Sequence, residues 1–187
     1  MPISVYVDAS VGQSSCGVGI RICVDSAPFP PIDLATPAAK MGSPNEAEVF
    51  AIKQAADTFV TLVRLIDFNK RLKNEYITLY TDSTAAFKAV LECEAVKDKR
   101  LRVLAKNART AWDDIRRNTL DDARGLIAGW EIKKIDRTKN PAHALAAAAM
   151  AQTEDLFKWK PKKRASGPSR SKSSKSAVTK PLSKAGL

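Results

Sequence analysis

The order in which two kinds of hydrophobic periodicity follow each other along the chain is the feature that most restricts its fold. Residues 3–8 (ISVYVD) alternate apolar and polar side chains, which is the period of a half-buried strand. Residues 16–24 (CGVGIRICV) predict a second strand, and a turn at Gly12 predicts a hairpin between the two, with Asp8 ending the first strand. Residues 32–38 predict a weaker third strand, because proline disfavours a place within a sheet.

Helical periodicity begins after these strands. From residue 45 to about residue 67, apolar side chains recur every three or four positions, so this segment predicts a long amphipathic helix with Glu48 on its inward stripe. Residues 76–81 (YITLYT) predict a fourth strand. Asp82 lies at the C-terminal end of that strand, and a further helix is expected from Ser83.

The remaining elements complete an α/β order. Residues 95–123 carry apolar side chains at helical spacing, and residues 130–135 (WEIKKI) predict a fifth strand. Asn140 and Pro141 supply an N-cap and a first-turn proline for an alanine-rich helix that runs to about residue 151. The order of elements predicts a mixed five-stranded sheet with helices on its faces.

The positive charge of the chain is concentrated at its C-terminal end. The sequence has 31 Lys and Arg against 20 Asp and Glu, a formal net charge of +11. Residues 156–187 hold ten of these basic residues and no acidic one, so residues 1–155 carry a net charge of only +1. Because residues 156–187 are also rich in Ser, Gly and Pro, we predict a folded domain over 1–155 and a disordered basic tail over 156–187.

The basic tail predicts a polyanionic partner. A flexible polycation binds nucleic acid without sequence preference through counterion release, whereas no amphipathic helix, lipidation motif or long apolar segment predicts a membrane contact. Three cysteines without a CxxC pair predict a reducing compartment. We expect a soluble, cytoplasmic protein, associated with the nucleoid in a bacterium, whereas residues 160–164 (KPKKR) predict a nuclear location in a eukaryote.

Three carboxylates stand out by their positions. Asp8 and Asp82 each lie where a predicted strand ends, and Glu48 lies near the start of the first long helix. Ligands collect at such strand ends in α/β sheets, and clustered acids repel each other unless a hard cation such as Mg²⁺ or Mn²⁺ neutralises them. An acid at one strand end is more often a solvated turn residue or a helix cap, but three together favour a metal site.

Four motifs in a fixed order then resemble those of the ribonuclease H family. They are residues 5–10 (VYVDAS) followed by 17–19 (GVG), residues 45–52 (NEAEVFAI), residues 79–83 (LYTDS) and residues 137–146 (RTKNPAHALA). The resemblance covers roughly residues 3–151 and leaves the tail out. It implies the ribonuclease H fold, in which three antiparallel strands are followed by parallel strands.

The resemblance also implies an activity. It implies an endonuclease that cuts the RNA strand of an RNA–DNA hybrid with two metal ions, Mg²⁺ or Mn²⁺, held roughly 4 Å apart. In this interpretation Asp8 bridges both ions, while Glu48 and Asp82 complete the shell of one ion and orient the attacking water. Glu46 is expected to be a solvated or capping acid, and the protein is expected to be a monomer.

His143, the only histidine of the chain, departs from the family pattern. The most studied members of the family carry Asp at this fourth position, and the substitution resembles one in plant-type branches of the superfamily. With Asn140 as N-cap, His143 lies in the first helical turn, where the dipole favours a neutral ring that can ligate a metal, with a preference for Mn²⁺. A lone histidine is otherwise more often structural.

Substrate contacts are expected from small polar side chains, because hybrids are recognised by shape, 2′-hydroxyl groups and phosphates. By family position the candidates are Ser10, Asn45 and Ser83, and for each the alternative is a cap or turn residue. The basic side chains of residues 97–109 predict a contact with the phosphates of the DNA strand or, alternatively, a solvated surface.

Two other functions remain open at this point. A non-catalytic nucleic-acid-binding module of the same fold is suggested by His143 and the tail, although a pure binding protein gains nothing from clustered acids. The third candidate is a related nuclease, such as a junction resolvase or a proofreading exonuclease. The exonuclease type expects an acid two residues after the first aspartate, where this chain has Ser10.

Overall fold

The structure, a computed structural model, describes residues 3–24, 30–65, 75–123 and 127–158. The strands found in these segments are β1 (Ile3–Val11), β2 (Ser15–Val24), β3 (Ile32–Ala39), β4 (Glu75–Thr81) and β5 (Ile127–Lys134). The α-helices are α1 (Pro44–Leu65), α2 (Thr84–Leu91), α3 (Lys99–Ala123) and α4 (Ala142–Lys158), with 3-10 turns at Cys93–Ala95 and Arg137–Lys139. None of the helices in the described segments is long and apolar enough to cross a membrane.

The strands form one mixed sheet in the order β3-β2-β1-β4-β5. β1 pairs antiparallel with β2, and β2 pairs antiparallel with β3, whereas β4 runs parallel to both β1 and β5. The predicted fold class is therefore confirmed. The third strand forms despite Pro37 because β3 is an edge strand, where one side of the backbone needs no ladder partner.

Asp8 does not end the first strand, and that prediction was wrong. β1 continues to Val11 because its antiparallel partner β2 also continues, with Ser10 opposite Gly17. The parallel pairing of β1 with β4 stops earlier, at Val7 opposite Thr81. Asp8 is therefore the first residue beyond the paired part of β1 and β4, and Asp82 is the first residue beyond β4.

The hydrophobic core lies on the face of the sheet that packs against α1 and α3. Val5 of β1 is fully buried there. In α1, Ile52 is fully buried and Phe59 almost fully, as the helical spacing of these two residues predicted. Trp112 of α3 is also fully buried, and its Nε1 donates a hydrogen bond to Ile52 O at 3.0 Å. The predicted continuation of the α1 stripe at Ile66 lies outside the described residues.

α4 packs on the opposite face of the sheet, mainly over β2. Gly17 and Gly19 make this close approach feasible, because a Cβ atom at either position would collide with the backbone of α4. α4 ends at Lys158 rather than near residue 151, so this helix is longer than the sequence predicted. The predicted disorder of the tail concerns residues that, from 159 onward, lie outside the described part of the chain.

Candidate active site

The three predicted carboxylates meet at the edge of the sheet where β1 and β4 stop pairing. Asp8 is almost fully buried, with 2% of its surface exposed, while Glu48 and Asp82 are half-buried. Both Asp8 and Asp82 influence the ionisation of Glu48, which projects from the second turn of α1. The strand–helix order therefore brings together three acids that are far apart in the sequence.

Burial is the main electrostatic influence on Asp8. It raises the pKa of the Asp8 carboxyl above its ordinary value, and the nearby charge of Asp82 raises it further. A hydrogen bond from His143 and one from the backbone N–H of Ala9 oppose this shift. Asp8 is thus a carboxylate whose charge is supported by specific donors against a large desolvation cost.

Glu48 is the most strongly perturbed acid of the cluster. Its pKa is raised from 4.5 to about 8, mainly by burial and further by the charges of Asp8 and Asp82, while the charge of Arg137 opposes the rise. Among the described residues, the buried Glu48 Oε2 has no hydrogen-bond partner. A buried oxygen without a donor is costly, so this atom is one that a bound cation would satisfy.

The donor set fits a hard divalent cation by its chemistry. Three carboxylates supply the oxygen ligands that Mg²⁺ and Mn²⁺ prefer, and Glu48 Oε2 supplies an unpaired one. In the described segments, however, no three Asp, Glu, His or Cys side chains converge as a ready metal-binding group. One oxygen of Asp8 and one of Asp82 accept hydrogen bonds, which orient these carboxylates without using up their capacity to bind a cation.

His143 lies beside Asp8, as the fourth motif predicts, but it is engaged through both ring nitrogens. Its Nδ1 lies 2.6 Å from Asp8 Oδ2, and its Nε2 lies 3.4 Å from Arg137 Nη2. Arginine can only donate, so Nε2 accepts and the ring proton lies on Nδ1, which donates to Asp8. Ligation through Nδ1 therefore requires the hydrogen bond to Asp8 to break, and the ligand role of His143 stays a prediction.

Asn140 is the residue at this site whose main contacts the sequence did not indicate. Its predicted capping role is present, because Asn140 Oδ1 accepts a hydrogen bond from Ala142 N at 3.2 Å. Its Nδ2 also donates to Val7 O and to Asp82 Oδ1, both at 2.9 Å. The buried amide thereby ties the end of β1, the carboxylate after β4 and the start of α4 together.

The predicted substrate-contact residues surround the acids but differ in availability. Ser10 is half-buried on the same face of β1 as Asp8, and Asn45 is exposed in the first turn of α1. Ser83 is the N-cap of α2, and its Oγ accepts from Ala86 N at 3.1 Å, so its capping alternative is realised. Glu46 is a capping acid, because its Oε2 accepts from Gly42 N at 2.7 Å.

The basic face predicted over residues 97–109 is partly neutralised within the fold. Lys106 forms an ion pair with Glu94 at 2.7 Å, and Arg109 Nη1 donates to Leu91 O at 3.0 Å. Lys97, Lys99 and Arg100 at the start of α3 are exposed. The free positive charge of this face therefore concentrates at its N-terminal end.

Comparison with known proteins identifies the fold. Models of protein families give no match to the sequence, and curated proteins give no significant match. Among solved structures, the ribonuclease H1 of the archaeon Halobacterium salinarum is 20% identical with a TM-score of 0.57, over 81% of this chain and 99% of that one. A ribonuclease H1 isolated from compost by a metagenomic approach is 15% identical with a TM-score of 0.61, over 82% and 98%.

A second structure of the compost protein, in complex with an RNA/DNA hybrid, is 16% identical with a TM-score of 0.55, over 81% of this chain and 99% of that one. At these identities the likeness concerns the arrangement of strands and helices rather than the chemistry. The chain therefore has the ribonuclease H fold.

Proposed function

We propose that the protein is an endonuclease that hydrolyses the RNA strand of RNA–DNA hybrids with two bound metal ions. The observation that carries this proposal is the cluster of Asp8, Glu48 and Asp82, in which burial and mutual repulsion raise the pKa of Glu48 to about 8. Such a cluster destabilises the metal-free protein, so a structural role does not explain it. A role in holding cations does, because cations remove the repulsion.

Each residue of the site has a part in this proposal. Asp8, Glu48 and Asp82 would hold the ions through their carboxylate oxygens. Bound Mg²⁺ or Mn²⁺ would supply an activated water and stabilise the leaving oxygen of the scissile phosphate. Asn140 holds the Asp82 carboxylate in position through its hydrogen bond, and His143 holds Asp8.

The proposed substrate is consistent with the rim of the site. Ser10 and Asn45 offer the short polar groups that contact 2′-hydroxyls and phosphates, as hybrid recognition requires. The compost ribonuclease H1 was solved with an RNA/DNA hybrid, and its fold is shared by this chain. The ten basic residues of 156–187 would keep the protein near nucleic acid without sequence preference.

A cleavage assay tests the proposal. The protein is incubated with a labelled RNA–DNA hybrid, duplex DNA and duplex RNA, each in Mg²⁺ and in Mn²⁺. We expect cleavage of the RNA strand of the hybrid alone, and we expect Asp8→Asn to abolish it. Glu46→Gln is the matched control, because this acid caps Gly42 N outside the cluster. Cleavage retained by Asp8→Asn would falsify the assignment of the site.

A second candidate, a nucleic-acid-binding module without catalysis, is favoured by one observation. The Asp8–His143 hydrogen bond of 2.6 Å occupies an oxygen that a metal would need. For this candidate, the protein would bind the hybrid but leave it intact in both metals. Gain of cleavage by His143→Asp would identify the histidine as the cause of the inactivity.

A further inference from the structure

Arg137 stands on a rigid turn next to the acid cluster. The 3-10 turn Arg137–Lys139 follows Asp136, whose Oδ1 accepts hydrogen bonds from Thr138 N at 2.8 Å and from Thr138 Oγ1 at 2.6 Å. Asn140 N then donates to Arg137 O at 3.2 Å. Since the Asn140 side chain is bonded to Asp82, the backbone that carries Arg137 is fixed relative to the acids.

The guanidinium of Arg137 reaches the acid cluster and has N–H donors left for a ligand. It donates to His143 Nε2 at 3.4 Å, and its charge opposes the rise in the pKa of Glu48. The side chain is exposed, and within the described segments no carboxylate forms a salt bridge with it. A guanidinium has five N–H donors in a planar fork, so most of them remain available to a ligand.

Two other cations of the described segments are paired with carboxylates. Lys133 of β5 forms an ion pair with Glu131 at 2.5 Å, and Lys106 of α3 does so with Glu94. Arg137 differs from them because its described neighbour is a ring nitrogen rather than a carboxylate. Its positive charge is therefore available at the place where the acids would otherwise repel a polyanion.

We propose that Arg137 binds a backbone phosphate of the nucleic acid directly beside the acid cluster. This inference rests on the proposed function and adds a substrate-binding residue to it. Guanidinium and phosphate pair through two parallel charge-assisted hydrogen bonds, and the contact with His143 orients the fork for this purpose. An ammonium group keeps the charge but lacks the fork, so lysine should replace Arg137 only in part.

Binding measurements test this inference separately from cleavage. In the full-length Asp8→Asn background with Mg²⁺, the hybrid should be bound without being cut, and Asn still accepts the hydrogen bond from His143. Fluorescence anisotropy gives the affinity for a labelled hybrid over a series of salt concentrations. Adding Arg137→Gln should weaken binding roughly tenfold and lower the slope of log affinity against log salt by about one.

Two further variants provide the comparison. Lys53→Gln removes the same charge from α1, where Lys53 pairs with Asp57 at 2.6 Å, and it should leave affinity and slope unchanged. Arg137→Lys should keep the slope but recover only part of the affinity. The inference is overturned if Arg137→Gln has the salt slope of Lys53→Gln. If the wild-type protein binds but does not cut the hybrid, the proposed activity fails. The comparison of salt slopes between Arg137→Gln and Lys53→Gln then still tests the Arg137 contact.

Discussion

Glu48 should make the metal-free protein less stable as the pH rises, and Glu48→Gln should remove this effect. In the folded protein, burial and the charges of Asp8 and Asp82 together raise the pKa of Glu48 from 4.5 to about 8. The unfolded chain binds no proton at this position above its ordinary pKa. Between the two pKa values the folded state therefore retains a proton that the unfolded state has lost.

The sign and size of the effect follow from this difference. An acid whose pKa is raised on folding contributes its stability fully below the unfolded pKa of 4.5 and loses it as the pH rises through the folded pKa of about 8. Each pKa unit is worth about 1.4 kcal/mol. The Glu48 carboxyl should therefore cost the wild-type protein roughly 2 to 4 kcal/mol between about pH 5 and about pH 8.5.

Urea unfolding in EDTA, followed by circular dichroism, measures this loss. Gln carries an amide donor where the protonated carboxyl has its O–H, so Glu48→Gln should match the wild type near pH 5 and exceed it by roughly 2 to 4 kcal/mol near pH 8.5. Glu46→Gln should keep the wild-type pH dependence. Saturating Mn²⁺ should stabilise the wild type more than Glu48→Gln. Equal pH slopes for the wild type and Glu48→Gln would refute the argument that Glu48 is a desolvated acid.

Three further variants test individual contacts. His143→Asp should raise the ratio of cleavage rates in Mg²⁺ and Mn²⁺, and an unchanged ratio would place His143 outside the metal shell. Asn140→Ala removes the donor to Val7 O and Asp82 Oδ1, so urea unfolding should show a loss of roughly 2 to 4 kcal/mol, and a loss below that range would show that water replaces the amide. Gly19→Ala should cost about 1 to 3 kcal/mol in the same measurement because its Cβ meets the backbone of α4, and a neutral result would show that the helix shifts freely.

The sheet and its helices were predictable because their periodicity is local. The alternation before Asp8 and the spacing of Ile52 and Trp112 are imposed by which faces are buried, so the pattern is present in the sequence itself. The third strand has the weakest signal in the sequence, since Pro37 is unfavourable in a sheet interior and acceptable only at an edge. Whether a strand lies at an edge is a property of the whole sheet, which local sequence does not encode.

The contacts of the site were predictable only where a motif marked them. The end of β1 was misplaced at Asp8, although the alternation continues through Ala9 to Val11 and pairing with β2 carries the strand that far. The bridge from Asn140 to Val7 and Asp82 joins residues more than 50 positions apart, and an N-cap signal contains no information about it. The same holds for Arg137, whose contact with His143 depends on the turn between them.

The distribution of charge bears on an apparent conflict between the acidic site and the polyanionic substrate that we propose. The ten basic residues of 156–187 would attract nucleic acid at a distance, but counterion release does not select one phosphate. Ionised carboxylates of the acid cluster would repel a phosphate unless cations neutralise them. Arg137 is carried by a hydrogen-bonded turn, and its charge already opposes the rise in the pKa of Glu48. In our proposal it would bind one phosphate at a fixed position beside the acids. On this reasoning the salt slope attributable to Arg137 should persist whatever the tail contributes, because the two act at different ranges.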